Sequence, residues 1–199
     1  MKTIDQLLLE IGEDKHQNLT TTSLKFKRDF WNFFQGFQDK TAIEFGTHKG
    51  QTTRIMSFLF NKVHTINNND NEKSKELNAD RSNIVHHNFN LYSADILHVA
   101  DTINVALIDA GHSYQEVIFD INRVLNMNCS EECYLVFDDY GLIPDVRKAV
   151  DEAINLNYLE VMQEIGHGAG HNFGNGVKGG PDRVLATSEG LITKVNWHK

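Results

Sequence analysis

From residue 41 onward the chain alternates short apolar runs with longer amphipathic ones, and no other feature restricts its fold as much. "TAIEF" precedes "GQTTRIMSFLFNK", and "VHTI" precedes "NEKSKELNAD". "NIVHHNF" leads into a weak helical pattern near "ADILHV". "NVALIDA" precedes "YQEVIFDINRVLN", and "CYLVFDD" precedes "PDVRKAVDEAINL", a helix opened by Pro144. Apolar strands alternating with amphipathic helices predict a mainly parallel sheet covered on both faces, because each crossover lays a helix on the sheet. The pattern then changes. "LEVMQEI" and "RVLATSEGLITKV" read as two strands, separated by a Gly-rich loop over residues 166–182 that holds seven of the 14 glycines. No crossover helix fits there, so these strands are expected to be antiparallel neighbours, the last lying beside the fifth strand. The predicted architecture is one α/β domain spanning 1–199, with a seven-stranded sheet. Residues 1–40 form an N-terminal helical cap. Within it, "LKFKRDFWNFFQGF" places Phe26, Phe30, Phe33 and Phe34 at helical spacing, a stripe for the core or for a lid packed on the sheet.

Composition narrows the class of function. The 199 residues are 40% hydrophobic and 23% charged, as in a globular protein with a full core. The net charge of −8 disfavours a nucleic-acid partner, which demands a basic face, and suits a site holding a cation. "MKTIDQLLLEIGEDKHQ" lacks the long apolar stretch of a signal peptide, and no apolar run approaches the roughly 18 residues that span a bilayer. Cys129 and Cys133 read as reduced thiols. These features predict a cytoplasmic protein without a membrane partner.

Two constellations carry chemistry. The first is "IEFGTHKGQTT", where Glu44, Gly46 and Gly50 surround a strand-to-helix turn. Ligands of open parallel sheets bind beyond the carboxyl ends of the strands, and glycines there admit a ligand to the backbone. The spacing Glu-x-Gly-x-x-x-Gly is not that of a pyrophosphate loop. A carboxylate beside the turn suits an amino or sulfonium group, although such glycines also arise for steric reasons alone. The second is the pair of runs ending in acid: "VALIDAGH" stops at Asp109 with His112 following, and "CYLVFDDYG" stops at Asp138 and Asp139. Adjacent parallel strands lie about 4.8 Å apart, so these carboxylates converge if the two strands are neighbours. Three unpartnered carboxylates would repel, which calls for a proton or a cation. An oxygen donor set favours Mg²⁺, with Mn²⁺ or Ca²⁺ as alternatives. The same acids can instead cap helices. His112, titrating near neutrality, can take a proton from a substrate hydroxyl or simply sit satisfied at a helix start. His167 and His171 are four apart, but the surrounding glycines argue against a helix presenting both to zinc; a substrate lid fits better. Tyr114 and Tyr140 read as packing groups, and His86 and His87 as strand residues facing opposite ways.

The stretches "EFGTHKGQTT", "LIDAGHSYQEVIFDI" and "VFDDYGLIPDVRKAVDEAI" resemble those of class I S-adenosylmethionine-dependent methyltransferases. Within that fold they are similar to the metal-dependent O-methyltransferases acting on sugars and related hydroxylated natural products. The resemblance implies a Rossmann-like class I methyltransferase fold, S-adenosylmethionine as cofactor and Mg²⁺ as metal. It implies that Glu44, Gly46, Thr47, Gly50 and Thr52 serve the methionine part of the cofactor, with Asp109 close to it. Asp109, Asp138 and Asp139 would bind the metal, and His112 would be the catalytic base. One departure stands out. The family's ribose-binding acid at the end of the second strand corresponds here to Asn67, an amide that bonds hydroxyls without charge assistance; Asp70 lies three residues on. The activity expected is O-methyl transfer to a small hydroxylated acceptor. Two other readings stay open: a metal-dependent oxygenase or hydrolase on a similar fold, and a non-catalytic cofactor- or metal-binding protein. The sequence leaves the acceptor and any homo-oligomer undetermined.

Overall fold

The computed structural model describes residues 2–12, 22–93, 98–100, 102–173 and 183–197. Two helices open the chain, α1 (Ile4–Glu10) and α2 (Leu24–Phe34). Then follow β1 (Thr41–Phe45), α3 (Gln51–Leu59), β2 (Lys62–Asn67), α4 (Glu72–Leu77) and β3 (Ile84–Asn88). The second half contains β4 (Ile103–Ile108), α5 (Tyr114–Asn126), β5 (Cys129–Phe137), α6 (Pro144–Asn155), β6 (Leu159–Ile165) and β7 (Gly190–Val195). The seven strands lie in the order β3-β2-β1-β4-β5-β7-β6. The strands β1 to β5 pair in parallel, and β7 runs antiparallel between β5 and β6. This is the expected mixed sheet. Its order reverses between β1 and β4, which opens a crevice at their carboxyl ends.

Local signals set the element ends. Ser23 caps α2 by accepting from the Phe26 amide, and Thr3 with Gln6 forms a capping box on α1. Ser113 and Glu116 form another on α5. Pro144 occupies the first turn of α6, where its missing N–H costs nothing.

The sheet separates two apolar layers. One packs α5 and α6 on the sheet through Val117, Ile121, Val124, Val146 and Val150. The other packs α1, α2 and α3, and here the Phe stripe of α2 is core. Phe26, Phe30 and Phe34 are at most 1% exposed, and burial of each contributes roughly 2 kcal/mol. Phe34 meets Phe60 and Tyr134, which ties the helical cap to the sheet.

Two sequence boundaries shift. The fifth strand begins at Cys129 rather than Cys133, and its register with β4 slips between Ile103 and Val105. The segment "RVLATSEGLITKV" is strand only over Gly190–Val195. Its first residues instead form an arm with 170–173: Val184 bridges Asn172, the Leu185 amide donates to the His171 carbonyl, and the Gly170 amide donates to the Leu185 carbonyl. The expected helix near "ADILHV" falls largely on 94–97, and the tip of the Gly-rich loop on 174–182; both lie outside the described residues. No described helix is long and apolar enough to cross a membrane.

Candidate active site

A cleft of about 1540 Å³ lies over the carboxyl ends of the parallel strands. Small-molecule sites usually enclose roughly 300–1,000 Å³, so two ligands fit side by side. One end is walled by Gly46, the 66–73 segment after β2, and Asn90 to Tyr92 after β3. The other is walled by Leu142, Ile143, Pro144, Arg183 and Val184. Asp109, Ala110, Gly111, His112 and Glu116 lie between.

The β1–α3 turn sits at the first end. Its chain passes through the left-handed region at Gly46, His48 and Gly50. A side chain at Gly46 would overlap the Asp109 carbonyl oxygen and lie 2.7 Å from its carbon, so glycine lets β1 and β4 end side by side. Gly46 thus both lines the cleft and joins the strands. Gly50 caps α3, and a Cβ there would come within 2.8 Å of Asn78 Nδ2. It packs on α4 and does not line the cleft.

Glu44 lies behind the turn, 1% exposed, between β1, β2 and α3. Thr53 and Thr65 each donate a hydroxyl to its Oε2 at 2.5 Å. Thr65 has spent its proton on Glu44, so the Thr47 hydroxyl is the donor in the 2.6 Å contact between Thr47 and Thr65. Burial raises the Glu44 carboxyl from 4.5 to about 8 despite these hydroxyls, with the Asp109 charge adding to the rise. Glu44 is a neutral carboxyl at neutral pH. Its side chain lies outside the cleft lining, as do Thr47 and Thr52. Asn67 does line the cleft, and its amide donates to the Asn69 carbonyl at 3.2 Å and to the Asn69 side chain. Asp70 lines it too and pairs with Lys75.

The acids after β4 and β5 converge as their positions predict, but with a distinction between the last two. The Asp109 amide donates to the Phe45 carbonyl and the Asp138 amide to the Ile108 carbonyl, continuing the ladders past the strand ends. Asp139 then enters the left-handed region at φ 61°, which aspartate tolerates better than most residues. Its carbonyl accepts from the Leu142 and Ile143 amides, turning the chain into α6. The result aims the fully buried Asp139 carboxylate at His112, whose Nε2 lies 3.2 Å away and 3.7 Å from Asp109 Oδ1. Oxygen and nitrogen donors of Asp109, His112 and Asp139 all lie within 4.8 Å of one another. Asp138, 2% exposed, does not join that group. A buried carboxylate beside a second one must be neutralised by a proton or compensated by a positive charge. A protonated His112 or a divalent cation fits the site equally in sign; the two carboxylates fit Mg²⁺ or Mn²⁺ in donor type, whereas the imidazole is the softer donor of the three.

Several lining residues have no site role readable in the sequence. Leu142, Ile143 and Pro144 follow the Asp139 turn. Arg183 and Val184 reach the cleft on the arm, which the Ala186 amide fastens to the Gly141 carbonyl at 3.0 Å. Glu116 was readable as a capping residue; Ser113 holds it below the usual carboxylate range, and it also faces the cleft. His167 and His171 stack at 3.7 Å and neither lines the cleft. His86 and His87 do face opposite ways: His87 bonds His64 at 3.0 Å, while His86 lies near Lys75 and Asp70.

Switch point, strand order and antiparallel terminal pair define a Rossmann-like class I methyltransferase fold, and comparison with known proteins agrees. Residues 43–140 match a protein-family model described as a methyltransferase domain. The chain is similar in structure to the tRNA (m1A58) methyltransferase TrmI of Aquifex aeolicus, with 16% identity, 100% of this chain and 77% of that one covered, and a TM-score of 0.66. A SAM-dependent O-methyltransferase of Thermotoga maritima gives 11% identity, 97% and 72% coverage, and a TM-score of 0.65. The O-methyltransferase TomG of Streptomyces achromogenes, solved with SAM, gives 13% identity, 96% and 86% coverage, and a TM-score of 0.62. Identities this low establish the fold alone. The sequence has no significant match among curated proteins.

Proposed function

We propose that the protein is an S-adenosylmethionine-dependent O-methyltransferase, assisted by a divalent cation, for a small hydroxylated acceptor. The observation that carries this reading is the convergence of Asp109, His112 and Asp139 in the middle of a cleft with room on both sides. The cofactor would lie at the β1–β2 end, over Gly46, with Asn67 and Asp70 offered to the ribose hydroxyls. It supplies an electrophilic sulfonium methyl. Its charge finds Asp109 nearby; Glu44, neutral and turned away, shapes the turn that receives it.

Asp109 and Asp139 are the residues that would hold Mg²⁺, with Asp138 buried behind them. A bound divalent ion lowers the pKa of a hydroxyl and fixes its direction. The chain's own residues do the rest. His112 Nε2 takes the hydroxyl proton. The walls of Leu142, Ile143 and Val184 hold the acceptor and exclude water, and alignment of the two ligands supplies much of the rate. A second reading differs in one role. Because His112 lies within reach of both carboxylates, it can serve as a third ligand instead of the base.

A net charge of −8 favours a metabolite over RNA as acceptor, and two reduced thiols suit the cytoplasm. Calorimetric titration with S-adenosylhomocysteine, with and without Mg²⁺, tests the reading. Binding in the cleft, followed by Mg²⁺-stimulated turnover of a polyhydroxy acceptor, is expected. An absence of S-adenosylhomocysteine binding would sink it.

A further inference from the structure

We infer that the acceptor carries an anionic group, a carboxylate or phosphate, bound by Arg183. The inference rests on the methyltransferase reading and adds the chemical class of the substrate.

Arg183 stands on the arm that closes the acceptor end of the cleft. The backbone of that arm is held at successive points: the Arg183 carbonyl accepts from Phe173, Val184 bridges Asn172, Leu185 is buried, and Ala186 is fastened to Gly141. The side chain is treated differently. Arg28 is paired with Asp5, Arg54 with Asp80, and Arg81 with Ser57. Among the described residues, the Arg183 guanidinium, like that of Arg147 on α6, has no hydrogen bond or ion pair; unlike Arg147, Arg183 belongs to the lining of a cleft that also contains Asp70, Glu72, Asp109 and Glu116. The other lysine or arginine in the lining, Lys73, belongs to α4 at the opposite end. Thus a chain of net charge −8 presents one planar cation to the acceptor, beside the apolar Leu142, Ile143, Pro144 and Val184.

A guanidinium offers two parallel N–H donors that match a carboxylate or phosphate edge. Such a contact orients the acceptor as well as holding it, which a hydroxyl presented for in-line transfer requires. Asp109 and Asp139 would repel an anion by themselves. A divalent cation held by these residues would balance their charge, and Arg183 would then decide the sign of the ligand. The preference for an anion therefore depends on Mg²⁺.

The test is equilibrium binding to protein saturated with S-adenosylhomocysteine, with Mg²⁺ present. Catechol is compared with 3,4-dihydroxybenzoate, and methyl glucoside with glucuronate and glucose 6-phosphate. The anionic members should bind roughly tenfold or more tightly than the neutral ones, as a charge-assisted bidentate contact implies. Whichever of carboxylate and phosphate gains more identifies the group. Arg183→Gln should bring the anions down to the neutral level without changing S-adenosylhomocysteine affinity, and Arg183→Lys should retain part of the preference. Equal affinity within every pair, including no measurable binding of either member, overturns the inference. So does a preference that survives Arg183→Gln, or a variant that loses S-adenosylhomocysteine affinity. Failure of the wild-type protein to bind S-adenosylhomocysteine would overturn the methyltransferase reading instead.

Discussion

The two ends of the cleft are built on opposite principles. At the β1–β2 end, the polar groups are spent on one another: Thr47 donates to Thr65, Thr65 and Thr53 donate to Glu44, and Asn78 donates to the Gly50 carbonyl. At the β4–β5 end, Asp109, His112 and Asp139 crowd their donors within 4.8 Å, and Arg183 extends from the arm. The first end is shaped by hydrogen bonds among its own residues. The second concentrates charge that a cation and an acceptor would balance. Substitutions at the first end should therefore be read in stability and its pH dependence, and substitutions at the second in turnover.

The sharpest break in that division is Gly46. Because Gly46 lines the cofactor end of the cleft, a side chain there would be expected to block the cofactor and leave a folded protein. The overlap of a new Cβ with the Asp109 carbonyl predicts otherwise, because the clash falls on the β1–β4 junction and φ is +95°. Even Gly46→Ala should cost roughly 2–4 kcal/mol of stability in a denaturant titration, with loss of cofactor binding in whatever remains folded. A stable Gly46→Ala protein that merely binds weakly would show that the turn yields to its ligand.

At the other end, His112→Ala should leave the fold intact and lower turnover about a hundredfold, the usual size of a general-base contribution. Its residual rate should rise with pH, since hydroxide can replace the missing base. Asp139→Asn should also lose turnover, and high Mg²⁺ should restore part of it. The two variants separate the alternative roles of His112. If His112→Ala is rescued by Mg²⁺ as Asp139→Asn is, the imidazole is a ligand. Activity that survives chelation would remove the cation from the mechanism.

Much of this was legible in the sequence. The sheet follows from the alternation of apolar and amphipathic runs, and the acids that matter stand where those runs stop. Other features were hidden for physical reasons. Asp138 and Asp139 are indistinguishable as letters; a pleated strand points neighbours to opposite faces, and the left-handed residue at 139 then redirects the second. Glu44 reads as a ligand for a cationic group, but its hydroxyl partners come from α3 and β2 and are visible only when these elements meet. Arg183 had no motif to mark it, because the arm that brings it to the cleft is held by contacts with 170–173 and Gly141 rather than by a local pattern.

The pH dependence of Glu44 sharpens the comparison further. Its carboxyl is raised from 4.5 to about 8 in the folded state, chiefly by burial. Stability from the neutral form is fully present below pH 4.5 and is lost as pH rises through about 8. Glu44→Gln removes that loss. The variant should gain on the wild type by on the order of 1 kcal/mol per pH unit between pH 5 and 8, measured by thermal melts across the range. A pH-independent difference would show that Glu44 ionises freely.

Asp120 offers a slightly smaller shift and a control outside both ends. It lies fully buried on the inner face of α5, and neither carboxylate oxygen has a hydrogen bond among the described residues. Burial pushes it from 3.8 to about 7, while Arg123 opposes the rise and Glu116 adds to it. The sign matches that of Glu44: stability is complete below pH 3.8 and declines as pH rises through about 7. The window is lower, and the value near 7 already includes the opposing effect of Arg123, so the change is slightly smaller and ends sooner. Asp120→Asn keeps the shape and removes the charge. It should match the wild type near pH 4 and gain on it by on the order of 1 kcal/mol per pH unit up to about pH 7, levelling off above that, with turnover unchanged at pH 6. If the asparagine variant is instead less stable at every pH, then Asp120 is ionised and held by Arg123. The pair would then be a buried ion pair whose breaking leaves Arg123 uncompensated.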